Sequence, residues 1–383
     1  MGQTAVTLRH WLYPVALFYG MGVRFRDKLF DWGILRSESF DLPVICVGNL
    51  TVGGTGKTPL SEYLIELLRR EFRVALLSRG YKRKTKGFLL ANKASTADCI
   101  GDEPYQVACK FTDCLVAVDE NRRRGIKQLL SLPADRKPEV IVLDDAFQHR
   151  YVKPSLTILL SRYDRLCVHD ELMPVGHLRA PMNRIDAVDI MIVTKCSKTM
   201  SPMDRRIIKE TLALRPHQTL LFSYVNYGEL TPVFPEIYQQ DGLEHEVHKA
   251  LTKEDEVLLI AGIASPKHYE EELQRRSKTV DTMPFGDHHR LTTKDIKSIT
   301  KRFESKEKDR RWLLVTEKDA ARLKNQKEIP RAWKPYLYYY PIKMHFFEDS
   351  AAEFNEMIIK HIRNYGKDRN CNLRGVWVNR TSN

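Results

Sequence analysis

The stretch Val44-Ile-Cys-Val-Gly-Asn-Leu-Thr-Val-Gly-Gly-Thr-Gly-Lys-Thr58 decides the fold of this chain. It begins with an apolar run typical of a buried strand, passes through a glycine-rich turn, and leads into the helical pattern of residues 60–69. Strand, glycine loop and helix in this order form a phosphate-binding P-loop. The glycines let successive backbone N–H groups point into one concavity, and the helix N-terminus adds the positive end of its dipole.

Each residue of the loop has a predicted role in nucleotide binding. Lys57 is placed to reach the β- and γ-phosphates of ATP, and the Thr58 hydroxyl is placed to ligate Mg²⁺. The strict pattern opens with glycine, where this chain has Thr51. The alternative interpretation is a glycine-rich turn without a ligand. The predicted ATP-binding residues are Thr51, Val52, Gly53, Gly54, Thr55, Gly56, Lys57 and Thr58.

The composition indicates a globular protein with an anionic partner. At 383 residues the chain is long enough for two domains, and 43% of its residues are hydrophobic. Lys and Arg number 62 against 49 Asp and Glu, which gives a formal net charge of +13. Such a charge favours nucleic acid, anionic lipid or a phosphorylated substrate without choosing among them. The seven cysteines show no CxxC spacing, so we expect reduced thiols in a cytoplasmic protein.

The segment of residues 11–23 (WLYPVALFYGMGV) carries no charge, and Arg9, Arg24, Arg26 and Lys28 flank it. A spanning helix needs about 20 apolar residues, so this segment is too short to cross a bilayer. Aromatic side chains between cationic flanks are typical of an anchor that lies in the membrane interface. The alternative is a buried core helix, and the two interpretations are compatible.

Beyond the P-loop, short continuous apolar runs alternate with helical stretches, which predicts an α/β fold with a doubly wound, mainly parallel sheet and a second, smaller α/β domain. We expect a P-loop core in residues 1–224, a smaller domain in residues 225–343, and a C-terminal helix and polar tail in residues 344–383 that packs back on the core. The polar stretch 224–256 is predicted to be a linker. The expected strands begin at Val74, Leu115, Val140, Leu156, Ile190, Val257, Trp312 and Tyr336.

Two acidic features accompany the P-loop. The apolar run of residues 140–143 ends in Asp144 and Asp145, as expected of a Walker B site that binds Mg²⁺ beside the P-loop. Phosphoryl transfer to a hydroxyl also needs a proton acceptor, and Asp102 is a candidate. The competing interpretation of Asp102 is a helix N-cap. The cluster of Asp287, His288 and His289 is by itself no more than a surface turn.

Six motifs in one order resemble the tetraacyldisaccharide 4′-kinases of lipid A biosynthesis, over roughly residues 10–345. The motifs are Gly48-Asn-Leu-Thr-Val-Gly-Gly-Thr-Gly-Lys-Thr-Pro59, Ser78-Arg-Gly-Tyr81, Gly101-Asp-Glu-Pro104, Asp144-Asp-Ala-Phe-Gln-His149, Phe285-Gly-Asp-His-His289 and Thr316-Glu-Lys-Asp-Ala320. The resemblance implies transfer of the γ-phosphate of ATP to the 4′-hydroxyl of tetraacyldisaccharide 1-phosphate, giving lipid IVA. It also implies peripheral association with the cytoplasmic face of the inner membrane, and neither nucleic acid nor an obligate protein as partner.

The resemblance assigns roles residue by residue. Asp102 resembles the catalytic base, and His288 resembles a histidine that pairs with it from the second domain. Arg122 resembles a basic residue near the phosphates, and Lys57 joins these three as a catalytic residue. Asp144, Asp145 and Thr58 are the expected metal ligands, and Arg79 and Tyr81 lie at the rim where the acyl-disaccharide approaches.

Two departures from the family pattern stand out. Ala180 replaces an acidic residue that could assist Mg²⁺ binding, so Asp145 or water would fill that coordination position, or the metal would sit differently. Lys82 stands where glycine is frequent and adds charge at the substrate rim. The role of Gln148 and His149 is left open.

A different class of protein, a P-loop ATPase or GTPase that switches partners at the membrane, is the main alternative. GTPases carry an Asp at the end of an Asn/Thr-Lys-x-Asp motif, and Ser197 occupies that position in Val193-Thr-Lys-Cys-Ser197. A pure binding module that uses only the net charge would need neither the P-loop nor the acidic residues.

Overall fold

The computed structural model describes residues 10–240, 250–263, 266–286, 289–326, 328–348 and 350–372. The strands, in chain order, are β1 Val44–Asn49, β2 Val74–Ser78, β3 Leu89–Leu90, β4 Leu115–Val118, β5 Val140–Asp144, β6 Leu156–Arg162, β7 Ile190–Thr194, β8 Thr219–Tyr227, β9 Thr231–Pro232, β10 Glu256–Ala261, β11 Thr279–Pro284, β12 Arg311–Val315, β13 Leu337–Tyr339 and β14 Ile342–Phe346. The helices are α1 Tyr13–Asp31, α2 Lys57–Leu68, α3 Ala97–Ile100, α4 Asp102–Lys110, α5 Arg122–Leu130, α6 Pro202–Leu212, α7 Glu236–Gln240, α8 Lys267–Arg276, α9 Thr293–Glu304, α10 Glu317–Leu323 and α11 Ser350–Asn372.

A nine-stranded sheet has the order β14-β8-β7-β6-β1-β5-β2-β4-β3 and is parallel except at its two edges. Every residue of β1, β2, β5 and β7 is buried, which explains why these strands read as continuous apolar runs. The predicted mainly parallel, doubly wound sheet is therefore confirmed. Strand β1 lies between β5 and β6 and is parallel to both. The loop that follows β1 therefore lies at the carboxyl edge of these strands, where such folds bind ligands.

A second sheet of five strands has the order β11-β10-β12-β13-β9. Only β9 in this sheet is antiparallel to its neighbour. Apolar side chains of α8 and α9, among them Tyr269, Leu273, Ile299 and Phe303, pack against it. The chain therefore builds a second, smaller α/β layer structure, as expected.

The predicted linker at residues 224–256 is wrong over its first part. Its first residues belong to β8, and Thr231–Pro232 pairs with β13 as β9. Most residues of β8 are half-exposed and only two are buried, so this strand lacks the continuous apolar run of its neighbours. The domain boundaries after residues 224 and 343 stay a prediction, and two strands of the large sheet, β8 and β14, run across them.

The C-terminal helix α11 lies against the large sheet. Phe354 and Ile358 are completely buried in the same apolar cluster as residues of β1 and β5, and the tilted rings of Phe354 and Phe346 lie with their centroids 4.8 Å apart. A segment that is distant in sequence thus contributes to the apolar cluster that contains residues of β1, β5 and α2.

Candidate functional site: a nucleotide cleft at the carboxyl edge of the large sheet

The loop between β1 and α2 has the backbone of a P-loop. Gly53 and Gly56 have φ values of 106° and 89°, a region that favours glycine. Among the described residues no side chain caps the N-terminus of α2, so its first N–H groups remain available to an anion. Thr55 Oγ1 is buried and has no hydrogen-bond partner in the described part of the chain. These features fit a bound polyphosphate.

Lys57 lies at the centre of a polar network at the start of α2. Its Nζ donates to Asn49 Oδ1 at 3.3 Å and lies 3.6 Å from Asp145 Oδ1. Asn49 also donates from Nδ2 to the carbonyl oxygen of Thr51 at 2.5 Å and accepts at its own carbonyl from Gln148. The last residue of β1 therefore fixes both the loop and its lysine.

The two aspartates that follow β5 have opposite electrostatic environments. In the sheet, Asp144 is the register partner of Val47, which brings it beside the P-loop. Burial, with the charge of Asp145 next to it, raises the pKa of Asp144 to about 6. Burial also acts to raise the pKa of Asp145, but Lys57 and Arg179 outweigh it and hold that pKa below its usual value. Arg179 Nη1 lies 3.1 Å from Asp145 Oδ2.

A single cleft of about 1600 Å³ brings most of the predicted site residues together. The predicted residues that line it are Val52, Gly53, Gly54, Thr55, Gly56, Lys57, Thr58, Arg79, Tyr81, Arg122, Asp144 and Asp145. Thr51 is buried behind the loop, where it bridges to Leu178. His288 lies outside the described residues.

Arg122 is held rigidly at the floor of this cleft. It is only 3% exposed, and its Nη1 donates to the carbonyl oxygens of Asp119 and Glu120. Burial lowers its pKa, while Asp144 and Asp145 oppose that effect. Its Nε is buried and has no hydrogen-bond partner among the described residues. An unsatisfied cationic donor beside the two aspartates fits a site for phosphate oxygens.

The Ser78-Arg-Gly-Tyr and Gly101-Asp motifs touch each other through their glycines. Gly80 has φ 67° and Gly101 has φ 92°. A Cβ atom on Gly80 would lie 2.9 Å from the carbonyl oxygen of Ile100, and one on Gly101 would lie 3.2 Å from the backbone of Gly80. Only glycine at both positions lets the loop of Arg79 and Tyr81 lie against the start of α4.

Asp102 is the first residue of α4 and is 9% exposed. The N-cap position of α4 is Gly101, and none of the described side chains caps this helix, so Asp102 is not its N-cap. Of the described residues, Glu103 lines the cleft and Asp102 does not. Arg322 on α10 lies 3.4 Å from Asp102 Oδ2, measured from its Nε atom. The structure therefore joins Asp102 to the smaller sheet.

Helix α1 presents two different faces. Its buried residues include Ala16, Gly20 and Phe30, and Tyr19 donates to the carbonyl oxygen of Arg179 at 2.9 Å. Tyr19, Val23 and Arg26 also line the cleft. Large apolar side chains of α1 are exposed on the other side: Tyr13, Val15, Leu17, Phe18, Met21 and Phe25; Trp11, which precedes the helix, is exposed as well. In the part of the chain that the structure describes, the helices are all too short or too polar to cross a membrane.

Comparison with known proteins decides the family. Residues 8–363 match the model of the family described as tetraacyldisaccharide-1-P 4′-kinase. The chain belongs to this family. A curated tetraacyldisaccharide 4′-kinase from Parabacteroides distasonis is 51% identical to it, over 92% of this chain and 94% of that protein. One from Bacteroides fragilis is 47% identical, over 95% of this chain and 96% of that protein. The crystal structure of the family member LpxK from Aquifex aeolicus in complex with ATP is 27% identical, with a TM-score of 0.68 over 92% of this chain and 99% of that one.

Three residues that contact predicted site residues carried no signal of their own in the sequence. Asn49 and Arg179 act on Lys57 and Asp145, and Arg322 pairs with Asp102. Asn49 lies inside a quoted motif, which could have drawn attention to it. Arg322 lies two residues beyond one, and its partner is distant in sequence, so no local pattern reveals it.

The structure also places the residues whose role the sequence left open. Ala180 is buried in the core, so its position contributes no group to the cleft. Gln148 donates a hydrogen bond from Nε2 to the carbonyl oxygen of Asn49 at 2.7 Å. Burial and the nearby cations, Arg122 first among them, lower the pKa of His149 to about 4, so this ring is neutral at physiological pH.

Proposed function

We propose that this chain transfers the γ-phosphate of ATP to the 4′-hydroxyl of tetraacyldisaccharide 1-phosphate, giving lipid IVA, at the cytoplasmic face of the inner membrane. The observation that carries the proposal is one cleft lined by the P-loop, by Asp144 and Asp145, and by one edge of α1. Membership of the kinase family supports the reaction. The exposed apolar side chains of α1 support a membrane surface as the place where an acylated acceptor is met.

The residues of the cleft fit ATP and Mg²⁺. The amides of residues 53–58, Lys57 and Arg122 would hold the phosphates, and Thr58, Asp144 and Asp145 would hold the metal. Within the described residues, no group of three or more His, Cys, Asp or Glu is arranged as a metal site. Magnesium commonly uses one or two carboxylates together with substrate phosphates and water, so Thr58 and the aspartates suffice. When bound, Mg²⁺ would neutralise charge on the phosphate oxygens.

The protein side chains then perform the transfer. Lys57 and Arg122 stabilise the negative charge of the transferring phosphoryl group, because they are already oriented by Asn49 and by backbone carbonyls. Asp102 accepts the proton of the acceptor hydroxyl, with His288 as its proposed partner. Residues of both halves line the cleft, Lys57 in the larger one and Glu317 in the smaller one, so the cleft is complete only when both halves are in place, which favours transfer to the lipid over hydrolysis.

Transfer of label from γ-phosphate-labelled ATP to a monophosphorylated acyl-disaccharide tests the proposal. We expect label in the lipid product when the acceptor is present, and little release of labelled inorganic phosphate when the acceptor is absent. A chain that hydrolyses ATP or GTP equally fast with and without the acceptor would instead be a nucleotide-driven switch, and the proposed function would be wrong.

A further inference from the structure

Arg322 joins three parts of the molecule with one guanidinium group. Its Nη2 donates to Asp319 Oδ1 at 2.7 Å, and its Nη1 donates to the carbonyl oxygen of His289 at 2.5 Å. Its Nε faces Asp102, 3.4 Å from Oδ2, and this atom is buried without a hydrogen-bond partner among the described residues. The side chain is only 12% exposed. Each of the three nitrogens of Arg322 therefore faces a different segment of the chain, so this arginine connects these segments.

Asp319, which accepts from Arg322, is itself held by two further hydrogen bonds. Asp319 Oδ2 accepts from the backbone N–H of Gly262 at 2.9 Å and from Thr316 Oγ1 at 2.7 Å. A Cβ atom on Gly262 would lie 2.8 Å from Asp319 Oδ1, so the aspartate occupies space that any other residue at this position would fill. The ends of β10 and β12 thus hold Asp319, and Asp319 holds Arg322.

We infer that Arg322 is a positioning residue for phosphoryl transfer, which sets the Asp102 carboxylate relative to the segment at His289. The inference rests on the proposed function, in which Asp102 accepts the proton of the acceptor. A planar guanidinium makes several directed contacts at once, which the single ammonium of lysine does not reproduce. Asp102 is at the first turn of α4, where a small rotation of the carboxylate would move it away from a bound hydroxyl.

The contact between α4 and α10 does not depend on Arg322 alone. Lys318 pairs with Glu103 at 2.7 Å, and Glu317 pairs with Lys110 at 2.9 Å. Three ion pairs therefore connect the two helices. Loss of the Arg322 pair leaves two of them, so the effect is expected on the geometry of Asp102 rather than on the fold.

Steady-state kinetics of Arg322→Gln and Arg322→Lys, each alone and combined with Asp102→Asn, test the inference. We expect Arg322→Gln to lower kcat about 10- to 100-fold, with KM for ATP changed less than about twofold, because the P-loop is untouched. Arg322→Lys keeps the buried charge and should recover only part of the loss. In the Asp102→Asn background, Arg322→Gln should cause no further loss, because it acts through that carboxylate.

Arg302→Gln is the matched control, since Arg302 pairs with Asp281 on the same half of the molecule and far from Asp102 in sequence. It should keep wild-type kcat. A wild-type kcat for Arg322→Gln, or a loss fully additive with Asp102→Asn, would overturn the inference and leave the proposed base intact. A normal turnover for Asp102→Asn alone would overturn the proposed base itself, and the role of Arg322 with it. Thermal unfolding of each variant separates misfolding from these outcomes, and Arg322→Lys decides the question if Arg322→Gln does not fold.

Discussion

At the scale of single residues, the site separates two adjacent carboxyl groups by their surroundings. Asp144 ends a buried strand and has a raised pKa, whereas Asp145 has φ 47°, which turns it towards Lys57 and Arg179. The neighbouring cations keep Asp145 ionised. The two neighbouring aspartates therefore differ in pKa and in partners, although the sequence presents them as a pair.

Replacing Lys57 or Asp144 with alanine should nearly abolish phosphate transfer, by about 10²–10³-fold or more, because each removes a group that stabilises charge at the phosphates. The transfer assay with labelled ATP measures this loss. Lys127→Ala is the control, since that lysine pairs with Glu38 at the surface. Wild-type turnover of Lys57→Ala would show that the loop does not hold ATP.

Asp102→Asn should lower kcat by about 10²–10⁴-fold with little change in ATP affinity, because it keeps the shape of the side chain and removes the proton acceptor. His288→Ala should lower kcat less, since the carboxylate alone still accepts a proton. The double variant should be no worse than Asp102→Asn. Full additivity of the two would mean that Asp102 and His288 serve separate steps.

At the scale of secondary-structure elements, α1 is unusual because its exposed side chains are apolar. Phe18 is 70% exposed and Phe25 is 60% exposed, while Gly20 on the opposite side lies against Leu172. An amphipathic helix normally turns its apolar face inwards. Here large apolar side chains remain outside, next to the cleft that would receive an acylated substrate.

Replacing Phe18 and Phe25 with glutamate should shift the protein from the membrane fraction to the soluble fraction, because both apolar area and net positive charge at the surface are lost. Cosedimentation with vesicles of anionic lipid measures the shift. Met203→Glu is the control, since Met203 is equally exposed on α6, at 64%. High salt should release the wild type only partly; complete release by salt would contradict an apolar anchor.

At the scale of the whole molecule, the two sheets are joined where α4 meets α10. Lys110 lies between Glu62 of the P-loop helix and Glu317 of α10, with contacts of 2.5 and 2.9 Å. Burial, followed by the charge of Glu317, raises the pKa of Glu62 to about 7. Glu317 Oε2 also accepts from the backbone N–H of Ile342, where β14 begins. Lys110 therefore ties the P-loop helix to the smaller half.

Lys110→Met should destabilise the protein by about 3 kcal/mol, because it leaves two carboxylates near each other without their shared cation. Folding raises the pKa of Glu62, so protonation of Glu62 stabilises the folded state at pH values below the pKa of the unfolded chain. This stabilisation is lost as pH rises through the pKa of the folded state. The drop in melting temperature should therefore be larger at pH 8 than at pH 6. Lys110→Arg keeps the charge and should be closer to wild type. An equal drop at both pH values would contradict the role of the Glu62 charge.

The sequence by itself determined the features that depend on neighbouring residues. Spacing alone predicts the P-loop of residues 51–58, since a glycine turn between a strand and a helix specifies its own backbone. The same holds for β5 and its terminal Asp144, because a strand buried on both faces must be apolar throughout. The sequence did not predict strands β3, β8, β9, β11 and β14, since they lie at or next to sheet edges, where half-exposed residues interrupt the apolar pattern.

Only the tertiary structure decided which distant residues meet. Asn49 contacts Lys57 within one loop. Arg179 contacts Asp145 across 34 positions, and Arg322 contacts Asp102 across more than 200 positions. Charged side chains find their partners when the sheets and helices have packed, and no local periodicity records that choice. The same packing left the apolar residues of α1 outside and enclosed Ala180, because burial is a property of the assembled layers and not of the segment itself.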